Sequence, residues 1–354
     1  MSLLHRLRGS IICAGCTISV VEVVQTRYVL PRGHHYSINP YIPDELGVRV
    51  AILFCGTYAS NAFGALIAAS ILDSMQGTLN QAAWRWLCFI EGAATILIGI
   101  IGFFVLPDFP GTAARWLTPA ERVLAETRMQ SEDSTSNSKG RFIDGLSVAI
   151  KDWKVWWLAL LMLFVQLSLS FVIFFPTLTA TLGYKLTTTL LLCAPPWVIT
   201  TVLAFVVTRH SDKKSERCWH SVIPMMVGIT GAIIAMSTMN TAARYVSLFL
   251  MAQSPVGPVI TMAWAMTSLR PASKRAVAIA MINAISQLGL VAGPYAWDKS
   301  WGPSYRYSFA ICVSASGLCI IMSFIFRYQL SRLNALAEKE EQNNHSKPGF
   351  RYLL

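Results

Sequence analysis

Residues 186–217 read LTTTLLLCAPPWVITTVLAFVVTRHSDKKSER, an uncharged stretch that ends in a compact burst of charge. The 23 positions 186–208 hold no Asp, Glu, Lys or Arg, whereas residues 208–217 hold six charged side chains and a histidine. A helix of about 20 apolar residues crosses the ~30 Å hydrocarbon core of a bilayer. The stretch therefore predicts a membrane-spanning helix that is followed at once by a charged, water-exposed turn.

The same pattern repeats along the chain and predicts eight spans. They are Val50–Leu72, Leu87–Leu106, Val155–Leu182, Leu186–Thr208, Ser221–Ala243, Tyr245–Leu269, Ala276–Trp297 and Tyr307–Phe326. Glu91 is their single charged residue. No run alternates in polarity, which excludes barrel strands, and the chain is only 13% charged, against about 25% in soluble domains. We therefore predict an all-α, multi-pass membrane protein. A ninth run, Gly9–Thr26, carries Glu22, and whether it spans stays open.

The distribution of positive charge predicts the orientation of the spans. If the C-terminus is inside and the spans alternate, the inside segments are 27–49, 107–154, 209–220, 270–275 and 327–354, and they hold 22 Lys and Arg residues. The outside segments between the spans hold only five: Arg85, Lys185, Arg244, Lys299 and Arg306. Cytoplasmic loops carry this excess of positive charge in membrane proteins. The net charge of +11 is thus explained by topology, and a nucleic-acid partner is excluded.

The reactive side chains do not form a catalytic or metal-binding pattern. Most of the eight cysteines lie inside apolar runs, and the pair Cys13 and Cys16 has no second ligand pair nearby. The six histidines form no H-x-x-H-H box, and no Ser/His/Asp arrangement is recognisable. We therefore expect no catalytic residues, no metal, no cofactor and no enzymatic activity.

A long polar segment, residues 107–154, divides the chain. Within it Thr118 and Glu121 form a capping box, and Pro119 suits the first helical position, so a short helix is expected over Pro119–Met129. The predicted organisation is an incomplete helix bundle over residues 1–106, a cytoplasmic central loop over 107–154, a six-helix bundle over 155–328 and a cytoplasmic tail over 329–354.

Eight segments of the chain, taken in order, carry a family resemblance. They are ELGVRVAILF (45–54), NAFGALIAASIL (61–72), WRWLCFIEG (84–92), LPDFPGTAARWLTPAE (106–121), FFPTLTATLGY (174–184), LLLCAPPW (190–197), SDKKSER (211–217) and SKRAVAIAMINAISQLGLVAGPY (273–295). Together they resemble the major facilitator superfamily, and within it the fungal anion:cation symporters of the allantoate permease-like group. The resemblance runs from about Pro43 to Tyr328. It implies a two-bundle fold with twelve spans, of which eight or nine are present here, so that the chain is expected to be truncated at its N-terminus.

The resemblance also implies a function. We expect secondary active transport of a small organic anion, of carboxylate, vitamin or ureide type, by proton symport and alternating access. The expected setting is the lipid bilayer, most naturally the plasma membrane, and the expected state is a monomer. Two alternatives stay open: an efflux transporter for a secondary metabolite, and a truncated remnant that does not transport.

Polar residues within the spans are the candidates for the transport site, because polar groups are costly in lipid and tend to face the protein interior. Glu22 and Glu91 are candidates for proton coupling, with a structural acid as the alternative for Glu91. Five amides are candidates for the substrate pathway or, alternatively, for hydrogen bonds between helices: Asn61, Gln166, Gln253, Asn283 and Gln287. Helix interruptions are expected at Pro195–Pro196 and at Pro255, Gly257 and Pro258. Freed carbonyl groups there can serve a cavity, and the alternative is that these residues form tolerated kinks.

The charged turn is the last candidate site. Asp212 and Arg217 have the residue types expected of a cytoplasmic gating loop, in which an aspartate meets a helix N-terminus and an arginine balances its charge. The alternative is a solvated turn whose basic residues only fix the topology.

Overall fold

The computed structural model describes residues 46–75, 77–105, 142–269, 272–344 and 351–354, and within these ranges the regular structure is entirely helical. The α-helices in chain order are α1 (Leu46–Ser74), α2 (Ala83–Val105), α3 (Phe142–Lys151), α4 (Trp153–Ser168), α5 (Phe171–Ala180), α6 (Leu186–Lys214), α7 (Cys218–Ser237), α8 (Thr241–Met251), α9 (Val256–Ser268), α10 (Ala272–Ala292) and α11 (Arg306–Asn344). Short 3₁₀ helices cover Thr78–Asn80, Gly293–Ala296 and Lys299–Trp301. Gly9–Thr26, Glu22 and the helix expected over Pro119–Met129 lie outside the described residues.

Eight helical segments of the described chain are long and apolar enough to cross a bilayer, which confirms the predicted all-α membrane fold. They are Phe54–Ser74, Ala83–Ile100, Trp153–Ala180, Leu186–Lys214, Cys218–Ser237, Thr241–Ser268, Val277–Ala296 and Arg306–Asn344. Large apolar side chains on them remain exposed, for example Ile96 at 65% and Val202 at 58%. Such exposure suits helices whose outer faces meet lipid instead of water.

Some helix ends differ from the sequence-based expectation. The helix α6 continues past Thr208 to Lys214, and α11 continues past Phe326 to Asn344. Lys213 and Lys214 lie in the last turn of α6, where positive charge is favourable because the helix C-terminus carries partial negative charge. Both helices therefore extend beyond the uncharged runs from which the spans were predicted.

Prolines act differently at the two sites where breaks are expected. The helix α6 is continuous through Pro195–Pro196, which agrees with the alternative of tolerated prolines and not with an interruption there. The fixed φ of proline matches helical backbone, although each ring removes a hydrogen bond of the helix. The Thr241–Ser268 span does break, with α8 ending at Met251 and α9 starting after Pro255. A further break, which prolines do not mark, separates α4 from α5.

The described residues divide into two compact units. The first contains residues 56–75, 77–105 and 184–198, and the second contains residues 46–55, 142–183, 199–269, 272–344 and 351–354. In the first unit, small and branched residues pack around the buried Leu87; they are Ala68, Ala69, Ile71 and Leu190.

In the second unit, glycines allow helices to approach closely. A Cβ atom on Gly289 of α10 would lie 2.2 Å from the Leu163 carbonyl oxygen of α4. On Gly257 of α9 it would lie 2.5 Å from the carbonyl oxygen of Ser221 in α7. Small residues at such crossings are the usual means by which membrane helices pack, since lipid supplies no hydrophobic force between them.

Candidate functional site

The charged turn, residues 211–217, connects α6 to α7 in the second unit. Ser215 has a φ of 52°, a left-handed conformation that ends many helices. Below it the Ser211 hydroxyl donates to the Glu216 carbonyl oxygen over 2.6 Å, and the Glu216 N–H donates to the Ser211 carbonyl oxygen over 3.3 Å. These bonds close the turn and bring its two ends together.

The two candidate gating residues form a buried ion pair inside this turn. The Arg217 guanidinium donates to the Asp212 carboxylate, and the two residues are 0% and 3% exposed. The same guanidinium lies 3.4 Å from the Ser211 hydroxyl oxygen. Removing one partner of a buried ion pair costs about 3–5 kcal/mol, because the remaining charge is then uncompensated. The pair is therefore a structural constraint on the turn and not a solvated surface contact.

Two further ion pairs lie in the second unit, and one of them includes a residue of the charged turn. The guanidinium of Arg327 on α11 donates to the Glu216 carboxylate over 2.8 Å. The ammonium of Lys274 on α10 pairs with Asp152, and the Asp152 carboxylate also caps α4 by accepting from the Lys154 N–H over 3.0 Å. These contacts tie together helix ends that the charge count predicts to be cytoplasmic.

Gln253 lies in the break between α8 and α9 and is 8% exposed. Its Nε2 atom donates to the Phe249 carbonyl oxygen over 2.9 Å, whereas its Oε1 atom is buried without a hydrogen-bond partner in the described part of the chain. Such an atom carries a desolvation cost of about 1–3 kcal/mol. It is chemically able to accept a hydrogen bond from a bound molecule.

The break leaves main-chain carbonyl oxygens without helical hydrogen bonds, and a side chain of α6 donates to one of them. The hydroxyl of Thr200 on α6 donates to the Ala252 carbonyl oxygen over 2.8 Å, and Thr200 is fully buried. Side-chain hydroxyls commonly satisfy backbone groups freed at membrane depth in this way. Three polar groups therefore lie at this helix break: the Thr200 hydroxyl, the Ala252 carbonyl and the Gln253 side-chain amide.

The other candidate amides of the second unit lie on different helices from Gln253. Gln166 is half-buried at the crossing of α4 and α10, where a Cβ atom on Gly289 would lie 3.1 Å from its own Cβ atom. Asn283 is exposed and Gln287 is half-buried, one turn further along α10. An apolar depression in the same unit is lined by other residues, Cys55, Thr201, Val202, Phe205 and Val206.

In the first unit, Asn61 on α1 and Glu91 on α2 are both half-buried. Glu91 follows Trp84 by seven residues, or about 10 Å of helix at 1.5 Å per residue. Glu22 lies outside the described residues.

Sequence reasoning did not anticipate the burial of Arg244. Arg244, counted as a loop residue between two spans, is 4% exposed at the start of α8. Its guanidinium donates to the Pro303 carbonyl oxygen over 3.2 and 3.3 Å and to the Ser304 carbonyl oxygen over 3.4 Å. No local pattern indicates this contact, because the acceptors lie about 60 residues away in the chain.

A family model described as Major Facilitator Superfamily matches residues 34–294. The MFS-type transporter cnsO of Penicillium expansum is 29% identical over 89% of this chain, and the major facilitator-type transporter hxnP of Emericella nidulans is 26% identical over 85%. A putative tartrate transporter of Agrobacterium vitis is 29% identical over 72%. The matched regions cover 66%, 61% and 58% of these three relatives.

Proposed function

The chain belongs to the Major Facilitator Superfamily, and on this premise we propose that it is a secondary active transporter of a small organic anion, coupled to protons. The observation that carries the proposal is the family match over residues 34–294, which includes six of the eight candidate spans in full and most of a seventh, Val277–Ala296. Members of such folds bind substrate near the membrane midplane and expose it alternately to either side. The family and the transporter-named relatives support transport and not enzymatic catalysis.

The proposed substrate class is a carboxylate, vitamin or ureide anion. The resemblance to the allantoate permease-like group supports it, as does the relative named as a putative tartrate transporter, since tartrate is a dicarboxylate. A cation is needed to offset the charge of such a substrate. Arg244 donates to main-chain oxygens, so we assign this role to a cation outside the described residues, with Arg27 as the candidate.

Within the site we propose that Gln253 contacts the substrate, because its buried Oε1 atom has no partner in the described chain. Asn61, Gln166, Asn283 and Gln287 complete the proposed pathway. Glu22 and Glu91 are the proposed proton-coupling groups, since a carboxyl group in a span is stable chiefly when it is protonated or paired.

We propose that the charged turn is the cytoplasmic gating loop. The buried pair of Asp212 and Arg217 supports this role, because a rearrangement of the turn must break or carry with it a tightly held ion pair. A purely topological role needs basic residues but no buried aspartate. The proposal extends to the organisation of the chain: N-terminal bundle residues 1–106, central loop 107–154, C-terminal bundle 155–328 and tail 329–354, in a plasma-membrane monomer.

The test is uptake by the full chain in proteoliposomes, with radiolabelled tartrate, biotin and allantoate as probes of the three anion types. An inward proton gradient should accelerate uptake of one of them, and a protonophore should abolish the acceleration. Uptake that ignores the gradient contradicts symport. Export only, from preloaded vesicles, favours the efflux alternative, and no flux of any probe favours the non-transporting alternative.

A further inference from the structure

Residues 351–354, with the sequence RYLL, lie half-buried against the second unit. Tyr352 forms two main-chain hydrogen bonds with the side chain of Asn334 on α11. Its N–H donates to Asn334 Oδ1, and its carbonyl oxygen accepts from Asn334 Nδ2, each over 2.8 Å. A side-chain amide that pairs with both the N–H and the carbonyl group of one residue recognises the main chain of that residue, independent of the side chain attached to it.

The side chain of Tyr352 is held separately. The Lys154 ammonium, at the start of α4, donates to the Tyr352 hydroxyl oxygen over 2.7 Å and lies 4.1 Å from the centre of the ring. A cation within about 6 Å of an aromatic ring is attracted to its face. Lys154 therefore favours an aromatic residue with a hydroxyl group at this position.

The last two residues of the segment satisfy donors on two more helices. The indole Nε1 atom of Trp264 on α9 donates to the Leu353 carbonyl oxygen over 2.9 Å. The Arg217 N–H donates to the Leu354 carbonyl oxygen over 2.6 Å, and the Cys218 N–H lies 3.4 Å from it. The helix α7 has no side-chain cap and no acidic residue in its first turn. The segment thus supplies the oxygen that the N-terminus of α7 otherwise lacks.

Arg351 anchors the other end of the segment. Its guanidinium donates twice to the Glu341 carboxylate of α11, over 2.9 and 2.6 Å. This bonding to Glu341 raises the pKa of the Arg351 guanidinium. Every residue of the segment therefore has a specific partner, and the partners come from four helices.

We propose that the ends of α4, α7, α9 and α11 form a peptide-binding site whose ligand is residues 351–354, and that occupancy of this site restrains the gating loop. Arg217 links the two functions, because its side chain holds Asp212 while its main chain holds Leu354. The turn cannot rearrange at Arg217 while the peptide stays bound. The consequence for flux rests on the proposed transport function, whereas the site itself does not.

Binding by the segment is reversible on physical grounds. The segment is half-buried and its contacts are mainly polar, so water competes for its partners. Segments with few buried apolar contacts open locally at low free-energy cost, while the rest of the fold stays intact. Release of the peptide therefore frees the charged turn without unfolding α7.

The first experiment measures amide hydrogen exchange in the full chain, reconstituted in lipid nanodiscs, for the Asn334→Ala variant. Exchange should rise by about 10-fold at Tyr352 and also across residues 211–218, since local opening sets exchange rates. The matched control is Asn343→Ala, an exposed asparagine on the same helix, which should change neither region. The proposal is overturned if Tyr352 loses protection while residues 211–218 do not, or if Tyr352 is unprotected in the unmodified chain.

The second experiment supplies the ligand in trans. A variant that lacks residues 351–354 should regain protection at residues 211–218 when the synthetic peptide RYLL is added, and should respond weakly to RALL. Equal effects of the two peptides, or no effect of either, overturn the assignment of the site. Where the unmodified chain takes up one of the three anion probes, Asn334→Ala should accelerate that uptake, and unchanged uptake overturns the restraint. Absence of uptake by the unmodified chain contradicts only the proposed transport function. The peptide-binding site is tested separately, by the hydrogen-exchange measurements.

Discussion

Asp212 and Arg217 are five positions apart in the chain and form an ion pair that is almost completely buried. The pair lies where α6 passes into α7, so that two membrane-spanning segments share one electrostatic constraint. Because neither side chain has access to bulk water, the consequences of changing one partner differ from those of changing a surface charge.

Replacement of Asp212 by alanine should both slow transport and weaken the fold locally. The Arg217 guanidinium loses its compensating charge, and such losses cost about 3–5 kcal/mol. We expect a clearly lower unfolding temperature in detergent and lower uptake at equal protein amounts. The control is Lys213→Ala, which removes an exposed charge from the same turn and should change either quantity little. Equal behaviour of the two variants would reduce the turn to a topology signal.

Replacement of Gln253 by leucine separates a substrate contact from a structural role. The variant loses the hydrogen bond to Phe249 but also removes the unsatisfied Oε1 atom. We therefore expect stability to change by no more than about 1 kcal/mol. If Gln253 contacts the substrate, KM for the transported anion should rise by at least about 10-fold, which corresponds to about 1.4 kcal/mol. Measured uptake kinetics with an unchanged KM contradict the assignment.

Replacement of Gly289 by alanine should destabilise the second unit. The added Cβ atom meets the Leu163 carbonyl oxygen at 2.2 Å and the Leu167 nitrogen at 3.0 Å, so α10 must move away from α4. Overpacking of this kind typically costs about 1–3 kcal/mol. The matched control is Gly64→Ala on α1, where the new atom meets nothing within 4 Å. Thermal unfolding of both variants should show a loss only for Gly289→Ala.

Replacement of Thr200 by valine tests the helix break between α8 and α9. The variant keeps the shape of the side chain but leaves the buried Ala252 carbonyl oxygen without the hydroxyl that donates to it. An unsatisfied buried acceptor costs about 1–3 kcal/mol. Thr188→Val, at an exposed position of the same helix, provides the comparison. If both variants unfold at the same temperature, the break draws its stability from other contacts.

Much of the fold could be predicted from the sequence because hydrocarbon imposes a simple rule. A chain in lipid must satisfy its own backbone hydrogen bonds, so an uncharged run of about 20 residues becomes a helix. The eight predicted spans are present for this reason. The pairing of Asp212 with Arg217 was also within reach, since the two residues are close in sequence. The continuity of α6 through Pro195–Pro196 was not, because the proline signal does not distinguish a tolerated ring from a break.

By itself, then, the sequence determined that the chain crosses a membrane several times and that a charged turn follows the uncharged stretch at 186–208. Only the tertiary structure decided which distant groups meet. Tyr352 contacts Lys154 across 198 positions of chain, and Arg244 contacts Pro303 across 59. The local pattern of polar and apolar residues cannot predict contacts between residues so far apart in the chain. They exist because small residues such as Gly289 let particular helices pack closely, and that packing sets which polar groups reach one another.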